Sequence, residues 1–119
     1  LPWLRAHRST SERSAFFTQT DLILTPATVV PPYPIEQRFV ERIGDYQFSN
    51  YIEWCSIAYA FTVIGAPALS IPCGFTQSGL PVGLQIVAAP RQEARLLSAA
   101  LAFEELAGIC TQLPIDPRS

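Results

Sequence analysis

Polar and apolar residues alternate most clearly near the C-terminal third of the chain. Val82, Leu84 and Ile86 interleave with Gly83, Gln85 and Val87, a period of two that predicts a strand with two distinct faces. Gly83 has no side chain, so something must pack closely against its face. Leu69–Cys73 reads as a second strand, in which Pro72 is tolerable at an edge or near the end. Asp21-Leu22-Ile23-Leu24-Thr25-Pro26 is a short apolar run stopped by proline, the mark of a buried strand. After Pro90 the period changes to that of a helix over 92–107, closed by Gly108. Its stripe is Leu96, Ala99, Ala100, Phe103 and Leu106, with Leu97 and Leu101 widening it toward a neighbouring face.

The same reasoning places a helix at Tyr51–Ile64, capped by Ser49 or Asn50 and ended by Gly65. It is apolar on nearly every face and is expected to be surrounded by protein. Ser9 and Glu12 have capping-box spacing, which predicts a further helix over 10–18 with Phe16 and Phe17 turned inward. Residues 1–8 read as a frayed leader, and Leu113-Pro114-Ile115-Asp116-Pro117 as an extended tail. Between residues 26 and 47, Pro26, Pro31, Pro32 and Pro34 and then a charged stretch predict a long connecting loop. About three strands flanked by about three helices make an α/β fold. Three strands form a small sheet for so much apolar material, so missing neighbours are expected.

Charge sharpens that expectation. Residues 54–90 contain no Asp, Glu, Lys or Arg. Such a block belongs to a core, a membrane or a covered surface, because charged side chains normally dominate exposed faces. Gly65, Pro67 and Pro72 interrupt it and no Arg cluster flanks it, so membrane crossing is not expected. At 119 residues the chain is long enough for one domain. It has no methionine, and a piece of a longer polypeptide without a signal-like leader is expected. All eight basic residues are Arg, the net charge is −2 and no basic run exists, so no nucleic-acid partner is expected.

Candidate chemistry is sparse. Cys55, Cys73 and Cys110 are odd in number, widely spaced and without a CxxC pair, which argues for buried thiols in a reducing, cytoplasmic setting. No metal site or cofactor is expected. His7 is the single histidine and lies in the polar leader, so no Ser-His-Asp or Cys-His arrangement is available without a fold-back of that leader. Gln85, the one polar side chain inside the Val82–Val87 strand, reads as an internal bracket for loop backbone, because a buried amide must be satisfied somewhere.

Three stretches in order, GAPALSIPCGF, SGLPVGLQIVAAP and QEARLLSAALAFEE, resemble the C-terminal part of the amidase signature family. DLILTPAT upstream and LPIDPR at the end fit as well, so the resemblance runs from about residue 12 onward. It implies that residues 1–119 are the C-terminal part of an amidase domain, a fragment of a larger mixed-sheet fold. Members hydrolyse carboxylic amides through a serine, a second serine at a cis peptide bond, and a lysine. A lysine serves as base only where burial destabilises its ammonium, and a Gly/Ser-rich loop holds the oxyanion. This chain has no Gly-Gly-Ser-Ser run and no lysine at all. No catalytic residue is therefore assigned to it.

The resemblance also implies that the helix before Gly65 lines the acyl side of the substrate channel. It points to Cys55 and Tyr59, one turn apart on one face, and to Thr62, one position from that row, as substrate-binding residues. Thr62 stands where many relatives carry Asn, and core packing is the competing role for all three. The expected function is thus that of a part of an amide hydrolase, inactive alone, which supplies strands and pocket wall. Its partners would be the remainder of the amidase domain and a small-molecule amide. A homodimer through exposed apolar surface is the other way to cover such surface. The alternatives are a non-catalytic binding or scaffolding module, and part of the amidase subunit of a tRNA-dependent amidotransferase.

Overall fold

The computed structural model describes residues 17–109. In chain order the elements are β1 (Leu22–Pro26), β2 (Arg42–Ile43), β3 (Tyr46–Gln47), α1 (Tyr51–Trp54), α2 (Ser56–Val63), β4 (Ala68–Phe75), β5 (Pro81–Ala88) and α3 (Glu93–Ala107). The architecture is α/β, as the sequence predicts. The expected frayed leader, most of the 10–18 helix and the extended tail fall outside the described residues.

The three long strands form an antiparallel sheet in the order β1-β5-β4. β5 takes the centre by pairing along both edges, and Gln85, Ile86, Val87 and Ala88 are buried on its two faces. Leu84, Ile86 and Ala88 point to one side, where α3 covers them with Leu96 and Ala100. Leu22, Leu69, Ile71 and Phe103 complete that core. Each aliphatic side chain fully buried here contributes about 1.5–3 kcal/mol. α3 begins after a turn in which the Gln92 N–H donates to the Ala89 carbonyl (3.1 Å) and Arg91 takes a left-handed φ of 67°. It ends at Gly108, φ 62°, whose N–H donates to the Glu104 carbonyl.

On the opposite face, Gly83 answers the expectation of close packing. A Cβ there would sit 3.0 Å from the Ala27 Cβ and 3.1 Å from the Ser70 Oγ. Pro72 lies on edge strand β4, followed by a register shift between Pro72 and Gly74 that leaves Cys73 as the extra residue of a bulge. β4 and β5 are thereby longer than the alternating pattern alone suggests. The Thr76–Leu80 connection closes them, with paired bonds from Thr76 N–H to the Leu80 carbonyl (2.8 Å) and from Leu80 N–H to the Thr76 Oγ1 (3.0 Å).

Two predictions need correction. The 26–47 connection is not featureless: β2 and β3 pair as a small hairpin around Gly44-Asp45, with Gly44 at φ 55° as such tight turns require. The single helix expected over Tyr51–Ile64 is two helices, because Cys55 (φ −78°, ψ −1°) leaves the helical track between them. The predicted stop is right. Gly65 N–H bonds the Thr62 carbonyl and Ala66 N–H the Phe61 carbonyl, each at 3.0 Å, the paired bonds of a Schellman ending.

Coverage is incomplete. Among the described residues only Ser56 of α2 is buried, and Ile52 and Val63 are exposed. On α3, Leu97, Leu101 and Leu106 expose 63%, 57% and 88% of their surface. A three-stranded sheet is too narrow to cover a helix with so broad an apolar stripe.

Candidate functional site: the broken helix and the proline-walled groove

Asn50 starts α1 by accepting the Glu53 N–H at its side-chain oxygen (3.0 Å). The Glu53 carboxylate reaches back to the Ser49 N–H (2.6 Å) and accepts the Tyr46 hydroxyl. These donors, Tyr46 first and then Ser49, hold the Glu53 carboxyl down at about 2, and the same bond pushes the Tyr46 phenol up. One carboxylate thereby joins the hairpin to the helix start. Asn50 caps the helix with its side chain, and Glu53 reaches one residue further back than in a capping box, to Ser49.

Aromatic rings fasten the proline-rich loop to the same helix. Tyr33 meets Trp54 edge-on with centroids 5.8 Å apart, and Phe39 meets Tyr51 at 5.9 Å. Tyr51 and Trp54 are 5.6 Å apart. Such pairs are worth about 0.5–1.5 kcal/mol beyond their area. Among the described residues the buried Trp54 indole nitrogen has no hydrogen-bond partner.

Cys55 is half-buried at the break between α1 and α2. Its thiol lies beside the Tyr51 hydroxyl and raises that phenol above its ordinary range. Tyr59, also half-buried, donates its hydroxyl to the Ile52 carbonyl (3.2 Å), satisfying a backbone acceptor next to the break. Cys55 stands at the start of α2 and Tyr59 lies within it. Thr62 is exposed in the last turn of α2. Gln85 is 5% exposed and points its amide at the Ile57 carbonyl (3.4 Å). It brackets helix backbone, where the sequence suggested loop backbone.

A groove of about 620 Å³ lies elsewhere, over the Gly83 face of the sheet. Residues 26–32 form one wall, and Ser70, Pro72, Val82 and Gly83 lie opposite. None of Cys55, Tyr59 and Thr62 lines it. Sequence reasoning did not anticipate this groove, although a glycine within a strand and a run of prolines nearby were its signals. Among the described residues no group of three or more His, Cys, Asp or Glu is placed to hold a metal ion, and no helix is long and apolar enough to cross a membrane.

The Amidase family model matches residues 4–97. The chain belongs to the amidase signature family. A glutamyl-tRNA(Gln) amidotransferase subunit of Myxococcus xanthus is 41% identical to this family member over 88 residues, 74% of this chain and 17% of the relative. The AmiA2 protein of Mycobacterium tuberculosis is 31% identical over 113 residues, 92% of this chain and 23% of the relative. Among solved structures, 6-aminohexanoate cyclic dimer hydrolase superimposes with a TM-score of 0.70 at 26% identity, covering 87% of this chain and 23% of that one. A bacterial aryl acylamidase shares the fold, with a TM-score of 0.66 at 24% identity over 86% of this chain and 22% of that one. This amidase-family chain thus spans less than a quarter of the length of these relatives.

Proposed function

We propose that this chain is the C-terminal part of an amide hydrolase. The reactive serine, the cis-linked serine and the lysine base lie in polypeptide outside the 119 residues. The observation that carries the reading is a family match over residues 4–97 in a chain that contains no lysine. An arginine does not replace that base, because its guanidinium stays protonated. The chain contributes sheet strands and, through Cys55, Tyr59 and Thr62, one wall of the acyl pocket. The enzyme cleaves a carboxylic amide to an acid and ammonia or an amine. Its setting is cytoplasmic, consistent with free Cys55 and Cys73.

In this role the broken helix is a positioning device. Asn50, Glu53 and Tyr46 fix where α1 begins, Tyr59 secures the backbone beside the break, and Cys55 at the break presents a small side chain to an acyl group. Thr62, exposed in the last turn, faces whatever body completes the pocket.

The test is a chimera in which the full 119-residue chain replaces the stretch it matches in 6-aminohexanoate cyclic dimer hydrolase. The chimera is expected to hydrolyse amides, with Cys55→Trp narrowing the range of acyl groups accepted, while the isolated chain is inert. Amide turnover by the pure isolated chain overturns the reading, as does a folded chimera without activity. A second reading, part of an amidotransferase amidase subunit, is favoured by the 41% identity to the Myxococcus xanthus protein. It predicts that the chimera's counterpart built in that amidotransferase, and not the hydrolase chimera, is active.

A further inference from the structure

We infer that the wall this chain gives to the acyl pocket selects an uncharged acyl group and excludes one that carries an ammonium group. This rests on the proposal that α1 and α2 line that pocket, and deepens it by naming the class of substrate.

An ammonium group leaves water only where a carboxylate or several acceptor oxygens replace its hydration, because an unpaired buried charge is strongly disfavoured. Residues 54–90 contain no Asp, Glu, Lys or Arg, so α2, β4 and β5 bring no carboxylate to the pocket. Glu53 is the one charged residue of α1, and its carboxylate is already engaged. It accepts the Ser49 N–H (2.6 Å) and the Tyr46 hydroxyl, which tie it to the hairpin and to the chain leading out of it.

The fields at the helix break act in the same direction. α2 starts at Cys55 with no acidic residue in its first turn, so the positive end of its dipole is uncompensated there. The ionisable groups that act on the Tyr51 phenol are the Cys55 thiol, Tyr33 and Arg38. None is a carboxylate, and Arg38 is a cation.

The other polar groups nearby are committed to backbone. The Tyr59 hydroxyl donates to the Ile52 carbonyl (3.2 Å) and the Gln85 amide to the Ile57 carbonyl (3.4 Å). The rings of Tyr51 and Trp54 remain, with centroids 5.6 Å apart. A cation over such a ring gains less than its dehydration costs. A carboxylate is no better served, because Arg38 is exposed on its loop, where salt screens it. An alkyl or aryl group needs no such partner, and the exposed Ile52 and Val63 offer it apolar surface.

Matched amides test this in the chimera described above. Heptanamide, the amide of ε-aminocaproic acid and the monoamide of pimelic acid differ only in the end group of the acyl chain: methyl, ammonium or carboxylate. The chimera is expected to show a kcat/KM for heptanamide at least tenfold above that for either charged amide. Cys55→Asp isolates the part played by this chain. It adds a carboxylate at a position where Asp favours a helix start, and is expected to raise the ammonium-bearing amide at least tenfold relative to heptanamide. Cys55→Asn, the uncharged isostere, is expected to keep the parent ranking. Thr62→Asp, at an exposed position, repeats the test where Cys55→Asp does not fold. An active chimera that prefers a charged amide, or treats the three alike, overturns the inference and leaves the proposed function standing. So does an unchanged ranking in the Asp variants, or a Cys55→Asn chimera that shifts as far as Cys55→Asp. A folded chimera that hydrolyses none of the amides overturns the proposed function itself, and one that does not fold counts against both.

Discussion

Gly83→Ala tests how the groove and the sheet are built. The added methyl would stand 3.0 Å from the Ala27 Cβ and 3.1 Å from the Ser70 Oγ, where carbon atoms prefer about 3.5–4.0 Å. Ser70 can rotate its hydroxyl away. Ala27 has no rotamer to change, and its N–H is bound to the Gly83 carbonyl at 3.0 Å, so relief must stretch the ladder. Overpacking of this kind costs about 1–3 kcal/mol. Replacing a glycine whose φ is not left-handed returns about 0.4–1 kcal/mol through the unfolded chain. The net loss is about 1–2 kcal/mol, read as a lower urea midpoint at constant slope. Ala27→Gly removes the obstructing methyl. In that background Gly83→Ala should cost about 1 kcal/mol less, a coupling that a double-mutant cycle resolves. Costs that add to within about 0.3–0.5 kcal/mol, or a Gly83→Ala chain more stable than the parent, would refute the close-contact account.

Three other outcomes are expected. Arg91→Gly should stabilise the chain by about 0.5–1 kcal/mol in denaturant titration, since a left-handed φ of 67° at the third turn position suits glycine and strains arginine. Glu53 has a folded-state value of about 2 against an ordinary 4.5. Its contribution is therefore fully present above pH 4.5 and lost as pH falls toward 2, and Glu53→Gln should flatten that part of a pH–stability curve. Tyr59→Phe keeps the ring and deletes the bond to the Ile52 carbonyl, so a loss of about 0.5–1.5 kcal/mol is expected, measured by urea unfolding.

Periodicity located β5 and α3, and glycine stop signals located the helix ends at Gly65 and Gly108, because these depend on residues within one element. The motifs GAPALSIPCGF and SGLPVGLQIVAAP likewise carried the family from sequence to fold. The break at Cys55 was not legible. An unbroken apolar helix pattern holds no record that Tyr59 donates to the Ile52 carbonyl or that rings from residues 33–39 press on Tyr51 and Trp54. The groove escaped notice for a similar reason, since it exists only where residues 26–32 come to rest opposite Gly83.

By itself, then, the amino-acid order determined the strand and helix faces, the uncharged middle and the absence of a lysine base. Those follow from side-chain chemistry and from periods of about two and 3.6 residues. Only the tertiary structure decided which strand takes the centre of the sheet, that the buried Thr25 hydroxyl has no hydrogen-bond partner among the described residues, and that Cys55 and Tyr59 stand apart from the groove. Such facts arise from strand order and register, which pair residues far apart in the chain and which no local pattern encodes.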